Sequence, residues 1–476
     1  MVTFRRFMRE LILVILTILG VATLPITASV FCTLLLYREI VIKFVKYFKS
    51  DWIPLNLFSC YGAVDDIYNK PLAGIGIVIY LDKKISQDVI FKRMEALIAK
   101  RNGAELKCRL TRLGGFFFWE PIPNFELSSC LGVNYSDDFE YFDTFKGQCV
   151  LEPFKKGCPL WEATLFPNID KDGNYAFLIR WHHSLMDMNS IITLFRNLGD
   201  PDPEQDVLLD QIVARITEKY SPKIGILYIL DFLFISPFRS GYMAYNMLNE
   251  NEWTRTPITG KSVHHVEQLD LNGVKQISKM AGQSIQTILL TALTGAIRKS
   301  LRFDDVTEVK MNFALVFPIP GHPARDRMTN HMWLAPLKLP VSDADPLNRM
   351  KSISSQITNL AKSPILLWLV LGDLFFCLTS SLINKKFVPR EIFSGIISNG
   401  ITLRKPEHIT GIAVSKFEIM TGRGLNSVPV VFNFFTVCDY IDFGIWADRG
   451  LFSGKDALET FAKSFRMELK TLENYK

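Results

Sequence analysis

Residues 175–198 read YAFLIRWHHSLMDMNSIITLFRNL. Tyr175 to Trp181 form an aromatic-rich, mostly apolar run, which predicts a buried strand. His182 and His183 follow, and Asp187 stands four residues after the second histidine. Asp187 and Asn189 are good N-cap residues for Ile191, Ile192, Leu194, Phe195 and Leu198, whose spacing is helical. The histidines therefore fall at a strand-to-helix turn, where rigid elements can present a side chain to a cavity.

A neutral imidazole can take a proton from an alcohol or a thiol near neutral pH, and does so best when its neighbours fix ring and tautomer. An aspartate four residues on can orient the turn or tie it to an arginine elsewhere. The same pattern also fits two satisfied polar histidines on a turn, so the residues alone leave both readings open. No G-x-S-x-G elbow, phosphate-binding loop or G-x-G-x-x-G fingerprint is present, which argues against a serine hydrolase, an NTPase and a dinucleotide enzyme. No ligand spacing suggests a metal.

The chain has 476 residues, enough for two or three ordinary domains or one large two-lobed enzyme. A hydrophobic content of 48% and a mean hydropathy of +0.16 point to membrane contact. The net charge of +6 suits an anionic lipid surface or an anionic substrate such as a CoA thioester. No zinc-finger, RNA-binding or helix-turn-helix signature occurs, which argues against nucleic acid as a partner. The 8 cysteines form no C-x-x-C pair, which argues against a zinc site and a compact disulfide scaffold. Reduced thiols are the simplest reading, with bridges between distant cysteines left open.

Four regions follow. Residues 1–50 are a membrane anchor, because 11–37 carry no charge. As a helix that run spans about 40 Å, enough to cross a hydrocarbon core of about 30 Å. Pro25 would kink it, and a re-entrant hairpin is the alternative. The flanking cations Arg5, Arg6 and Arg9 on one side, and Arg38, Lys43, Lys46 and Lys49 on the other, lean toward a cytoplasmic body. Residues 51–200 form a first α/β lobe, with a buried strand at 73–81 and an amphipathic helix at 86–100. The sequon at Asn134 would matter only in a lumen. Residues 201–261 form a crossover containing an amphipathic helix, and 262–476 a second lobe. Two apolar stretches, 224–238 and 365–378 (interrupted by Asp373), read either as buried core helices or as interfacial helices that guide lipid. His264 and His265 read as a polar strand face, His322 and His331 as structural loop residues, and Asp448 as a turn.

The pattern His182, His183, Asp187 resembles the HHxxxDG motif of the CoA-dependent acyltransferase superfamily. More closely, the chain resembles the wax ester synthase/diacylglycerol acyltransferase family over roughly residues 55–470. Pro159-Leu160-Trp161-Glu162 is similar to its PLW motif, preceded by Trp119, Pro123 and Phe125-Glu126-Leu127. Ser284 to Leu301 resembles its VNDVLLAAVAGALRRYL helix. Ala314 to Val341 is similar to its PVSLR…GN…LPL region, with Asn330 in the GN position. Ser398-Asn399 and the segment to Asp448 resemble its SNVPGP region. The chain departs from the family at Met188 (a glycine there), Gln286-Thr287 (Asn-Asp), Gly400 to Leu403 (VPGP) and Cys130 (often histidine). These departures put substrate choice in doubt, and full activity to a lesser degree.

The resemblance implies an α/β fold of two chloramphenicol-acetyltransferase-like lobes with a tunnel between them, here preceded by an N-terminal transmembrane helix. It implies no cofactor. Acyl-CoA would be the co-substrate and a fatty alcohol or diacylglycerol the acceptor, in a single-pass protein of the endoplasmic reticulum in contact with membrane lipid. His183 would be the general base, with His182 shaping the turn and Asp187 fixing His183. Pro159, Leu160, Trp161, Asn330, Ser398 and Asn399 would line the tunnel. A catalytically weak lipid-binding relative is the second reading, motivated by Met188 and the lost patterns. An amide-forming condensation enzyme on the same fold is the third.

Overall fold

The computed structural model describes residues 2–169, 174–221, 224–247, 253–301, 311–319, 327–380, 392–403, 405, 407–424 and 427–474. It opens with α1, Val2–Phe48, a helix of 47 residues that continues through Pro25. No re-entrant hairpin forms. Within α1, residues 17–48 are long and apolar enough to cross a membrane, with a mean hydropathy of 2.0 over an 18-residue window. The helix is not a free tether. Val41, Ile42 and Val45 near its end are buried against Trp52, Phe116, Phe118 and Leu378. Each such side chain contributes roughly 1.5–3 kcal/mol, so the last turns are docked on the body.

The first lobe follows: β1 (Ile53–Pro54), α2 (Leu57–Ala63), β2 (Gly74–Leu81), α3 (Gln87–Ala99), the hairpin of β3 (Cys108–Leu113) and β4 (Phe116–Pro121), β5 (Leu131–Val133), α4 (Phe139–Cys149), β6 (Trp161–Phe166), β7 (Tyr175–His182) and α5 (Met188–Leu198). The crossover is α6 (Pro203–Tyr220), then α7 (Ile226–Leu230), which runs through a π turn at Asp231–Ile235 into α8 (Ser236–Met247). The second lobe holds β8 (Ser262–Asp270), α9 (Leu271–Ala281), α10 (Ile285–Ser300), β9 (Met311–Pro318), β10 (Met332–Leu339), α11 (Pro346–Lys362), α12 (Ile365–Ser380), β11 (Gly395–Leu403), β12 (His408–Ile409), β13 (Ile412–Thr421), β14 (Val430–Val437), β15 (Tyr440–Asp448) and α13 (Lys455–Glu473).

Two six-stranded sheets organise these elements, ordered β12-β13-β2-β7-β6-β5 and β10-β9-β11-β14-β15-β8. The boundary expected at 262 is therefore crossed. Residues 408–421 leave the second lobe and close the edge of the first lobe's sheet, β13 pairing antiparallel with β2 from Val414↔Leu81 to Thr421↔Ile75. Local sequence cannot announce this, because strand pairing is set by a partner more than 300 residues away. Every residue of β7 is buried. Tyr175, Phe177, Ile179 and Trp181 pack with α3 and α5, while Ala176 and Leu178 meet Ala314, Ile396 and Val431 of the second lobe. Burial on both faces explains why this strand reads as a mostly apolar run without alternation.

The two apolar stretches differ. α12 is half-buried, with Phe375 stacked on Phe31 of α1 and Trp368 edge-on to Phe232 of the π turn. By contrast, Ile224, Ile226, Leu227, Ile229, Leu230, Phe234 and Ile235 are exposed around α7. His264 is no polar surface residue. It is buried, stacked on Trp446 at 4.7 Å, and bonded to Asp143 of α4 at 3.0 Å. Asp448 is more than a turn: its buried carboxylate accepts from the backbone N–H groups of Thr259, Gly260 and Gly450 and pairs with Arg423 at 3.1 Å. His322 lies outside the described residues. The 8 cysteines form no disulfide.

Candidate active site

Adjacent residues on an extended strand point to opposite sides, so the two histidines at the end of β7 cannot share one environment. His182 is fully buried. Its Nε2 lies 3.1 Å from Asp65 Oδ2, and its Nδ1 accepts from the backbone N–H of Ser184 at 3.2 Å. Those two contacts define one tautomer, with the proton on Nε2. Burial alone would raise the Asp65 carboxyl. The hydrogen bond from His182 and those from the N–H groups of Leu72 and Ala73 outweigh burial and hold it below the usual range. His182 is thus occupied in fixing the turn.

His183 extends the strand by one backbone bond, its N–H donating to Ala73 O at 2.9 Å, and its ring lines a cavity between the lobes. Ring atom Nδ1 is buried and has no partner. Burial pushes the imidazole below its ordinary value, opposed in part by the charge of Asp187. A histidine shifted this way is neutral at pH 7 and can accept a proton. Any activity that needs this base should have the acid limb of its kcat/KM profile below 6.5, the reference value for histidine. A pH–rate profile checks this, and a limb at or above 7 would contradict it.

Asp187 makes no bond to that Nδ1 atom. It sits at the N-cap of α5, with Oδ1 accepting from Ser190 N–H at 3.0 Å and Oδ2 from His331 N–H at 2.8 Å. It therefore joins the histidine turn to the segment Thr329–His331 of the second lobe. The same segment is tied to α2: Asn330 N–H donates to Ser59 Oγ at 3.1 Å, and Asn56 Nδ2 donates to Asn330 O at 3.0 Å. α2 also presses on the turn directly. A Cβ on Gly62 would come within 2.8 Å of the Ser184 backbone nitrogen, so only glycine allows this approach.

The cavity has a volume of about 140 Å³ and mostly apolar walls. The first lobe supplies His183, Met188 and the start of β2, and the second lobe supplies Asn330, Trp333 and Ser398. Thr421 arrives at the end of the crossing strand β13, and α12 adds Asp373. Four buried polar atoms on these walls have no partner among the described residues: His183 Nδ1, Asn330 Oδ1, Trp333 Nε1 and Thr421 Oγ1. Buried polar groups are normally satisfied, so this concentration marks a place for a polar part of a ligand.

The other expected tunnel residues are placed elsewhere. Pro159, Leu160 and Trp161 do not line the cavity. They form part of the first lobe's frame, Trp161 Nε1 donating to Leu106 O at 2.8 Å and Leu160 O accepting from His182 N–H at 2.9 Å. Their apolar character serves packing around the strand that carries the histidines. Ser398 faces the cavity. Alternation along β11 turns Asn399 to the other side, where Ile397 enters the second lobe's own core. Asp65, Ser184, Trp333 and Thr421 were not singled out by sequence reasoning, and no short-range pattern marks them. Among the described residues, no group of three or more His, Cys, Asp or Glu could hold a metal.

No protein-family model matches the chain, and no curated protein sequence matches it. Solved structures do. The wax ester synthase/diacylglycerol acyltransferase from Marinobacter aquaeolei superposes with a TM-score of 0.58 at 14% identity, over 88% of this chain and 99% of that one. The starter condensation domain of rhizomide synthetase, solved with C8-CoA, has a TM-score of 0.58 at 11% identity over 91% and 97%. The epimerization domain from the third module of tyrocidine synthetase B has a TM-score of 0.56 at 11% identity over 88% and 97%. The chain thus has the two-lobed fold that acyltransferases and condensation domains share. Within that fold its organisation is similar to the wax ester synthase/diacylglycerol acyltransferase structure over nearly the whole of the latter.

Proposed function

We propose that the protein is a membrane-bound O-acyltransferase that moves a long-chain acyl group from acyl-CoA to a lipophilic alcohol, a fatty alcohol or diacylglycerol. The observation that carries this reading is the inter-lobe cavity, which pairs a neutral, unpartnered His183 with polar atoms that lack partners, inside apolar walls. His183 accepts the hydroxyl proton as the oxygen attacks the thioester carbonyl carbon. The resulting tetrahedral oxyanion collapses, the C–S bond breaks, and the leaving thiolate recovers the proton from the imidazolium. Trp333 Nε1 and Thr421 Oγ1 are the unpartnered donors available to the carbonyl oxygen. Asp187 positions the turn without touching substrate.

Membrane attachment is supported by α1 and by the exposed apolar residues around α7, which continues into the π turn and α8 that pack against α1. The flanking charges favour a cytoplasmic body, and lipid acceptors of this kind favour the endoplasmic reticulum. One observation supports a second reading, a lipid-binding relative with weak turnover: Met188 lines the cavity at the position after Asp187, where the motif has glycine.

The test is a product assay. Membranes containing the full chain receive labelled long-chain acyl-CoA with a fatty alcohol or with diacylglycerol. New ester identifies the acceptor. Folded protein that retains lipid yet releases no CoA with any alcohol would favour the second reading.

A further inference from the structure

One ionisable group in the cavity is used neither by the acid–base step nor by the frame of the site. Asp373 interrupts the apolar sequence of α12 between Gly372 and Leu374, and its side chain lines the same cavity as His183. No described residue supplies it with a hydrogen bond or an opposite charge. The helix that carries it is otherwise apolar, and a leucine there would continue its pattern. A half-buried carboxyl that faces apolar walls without a partner is incompletely solvated, which is unfavourable. The cavity is where a partner for it can bind.

The inventory of unpartnered atoms indicates what that partner must offer. A thioester oxygen can accept from Trp333 Nε1 and Thr421 Oγ1. The hydroxyl being acylated donates to His183. Two sets of acceptors then remain, the Asp373 carboxyl and Asn330 Oδ1. A simple fatty alcohol has one O–H, and so does diacylglycerol. Neither has a second donor, and each would leave those acceptors bare in an apolar cavity. An acceptor with another hydroxyl beside the first would satisfy them. The helix that bears Asp373 also packs on the membrane-length helix, Phe375 on its far face stacking on Phe31 of α1.

We propose that the preferred acceptor is a long-chain lipid with two neighbouring hydroxyls, such as a monoacylglycerol or a long-chain 1,2-diol, and that Asp373 receives the hydroxyl that is not acylated. This inference rests on the acyl-transfer reading of the cavity and narrows its substrate class.

The experiment uses full-length protein in membranes, labelled palmitoyl-CoA, and four acceptors: 1-hexadecanol, 1,2-hexadecanediol, a monoacylglycerol and a diacylglycerol. Wild type should favour the diol and the monoacylglycerol over hexadecanol in kcat/KM by roughly 10- to 100-fold, the value of one buried hydrogen bond left unmade. Asp373→Leu should bring that ratio to near one. Asp373→Asn, which keeps an accepting oxygen, should restore part of it. The proposal is overturned if wild type shows no preference, if Asp373→Leu lowers all four acceptors alike, or if it raises the KM for palmitoyl-CoA with every acceptor. The last result would place the carboxyl against the pantetheine amides. Should wild type transfer to none of the four, the acyl-transfer reading fails separately, and binding decides the rest. A thermal stabilisation by the diol, larger than that by hexadecanol and lost in Asp373→Leu, would retain Asp373 as the diol-binding group. Equal stabilisation would reject it.

Discussion

Membranes carrying His183→Ala are expected to lose acyl transfer by a factor of roughly 10²–10⁴, the usual contribution of a positioned general base. The protein should remain folded. The ring's Nδ1 has no protein partner, and the backbone bond from His183 to Ala73 does not depend on the side chain. His182→Ala is the informative contrast. That ring sits in a closed set of contacts with Asp65 and Ser184. Its removal leaves the buried Asp65 carboxylate one donor short, with a loss of stability of about 1–3 kcal/mol. Turnover lost with stability kept at 183, and stability lost at 182, would separate base from frame. Equal damage to melting temperature at both positions would show that 183 is also structural and would remove the argument for catalysis.

The largest stability effect is expected at Lys146→Met. Lys146 on α4 lies 2.9 Å from Glu418 on β13 and 3.2 Å from Asp143, with only 5% of its side chain and 3% of that of Glu418 accessible. Tyr80 also hydrogen-bonds Glu418, and Lys455 of α13 reaches Asp143. One lysine thus compensates two acidic groups where the crossing strand and both lobes meet. Burial by itself would raise the Asp143 carboxyl. The hydrogen bond from His264 and the charge of Lys146 outweigh it and hold the group well below the usual carboxylate range. Removing the lysine takes the ion-pair partner from the buried Glu418 carboxylate and should cost roughly 3–5 kcal/mol. Denaturant unfolding of solubilised protein measures this. The double variant Lys146→Met, Glu418→Leu should recover part of the loss, because it removes a stranded charge along with its partner. No recovery would mean that the lysine acts mainly through Asp143.

Local sequence determined much of this protein. The apolar run 175–181 gave β7 because a strand buried on both faces has no reason to alternate. Asp187 marked the start of α5 because a carboxylate before an apolar helical run caps free N–H groups. The uncharged stretch 11–37 marked a membrane-length helix because length and hydropathy suffice for that. Even the break at Asp373 was visible as a charge inside an apolar run. Tertiary structure alone decided the rest. It set which histidine meets the cavity, through strand alternation and the distant carboxylate of Asp65. It moved residues 408–421 into the first lobe's sheet, which brings Thr421 to the cavity that His183 lines. It placed Pro159, Leu160 and Trp161 in the frame and turned Asn399 away from the cavity. The physical reason is the same in each case. Helix and strand propensities act between residues a few positions apart and can be read in order. Sheet partners, cavity walls and the pairing of buried polar atoms depend on segments that meet only once the chain has closed loops of a hundred residues or more.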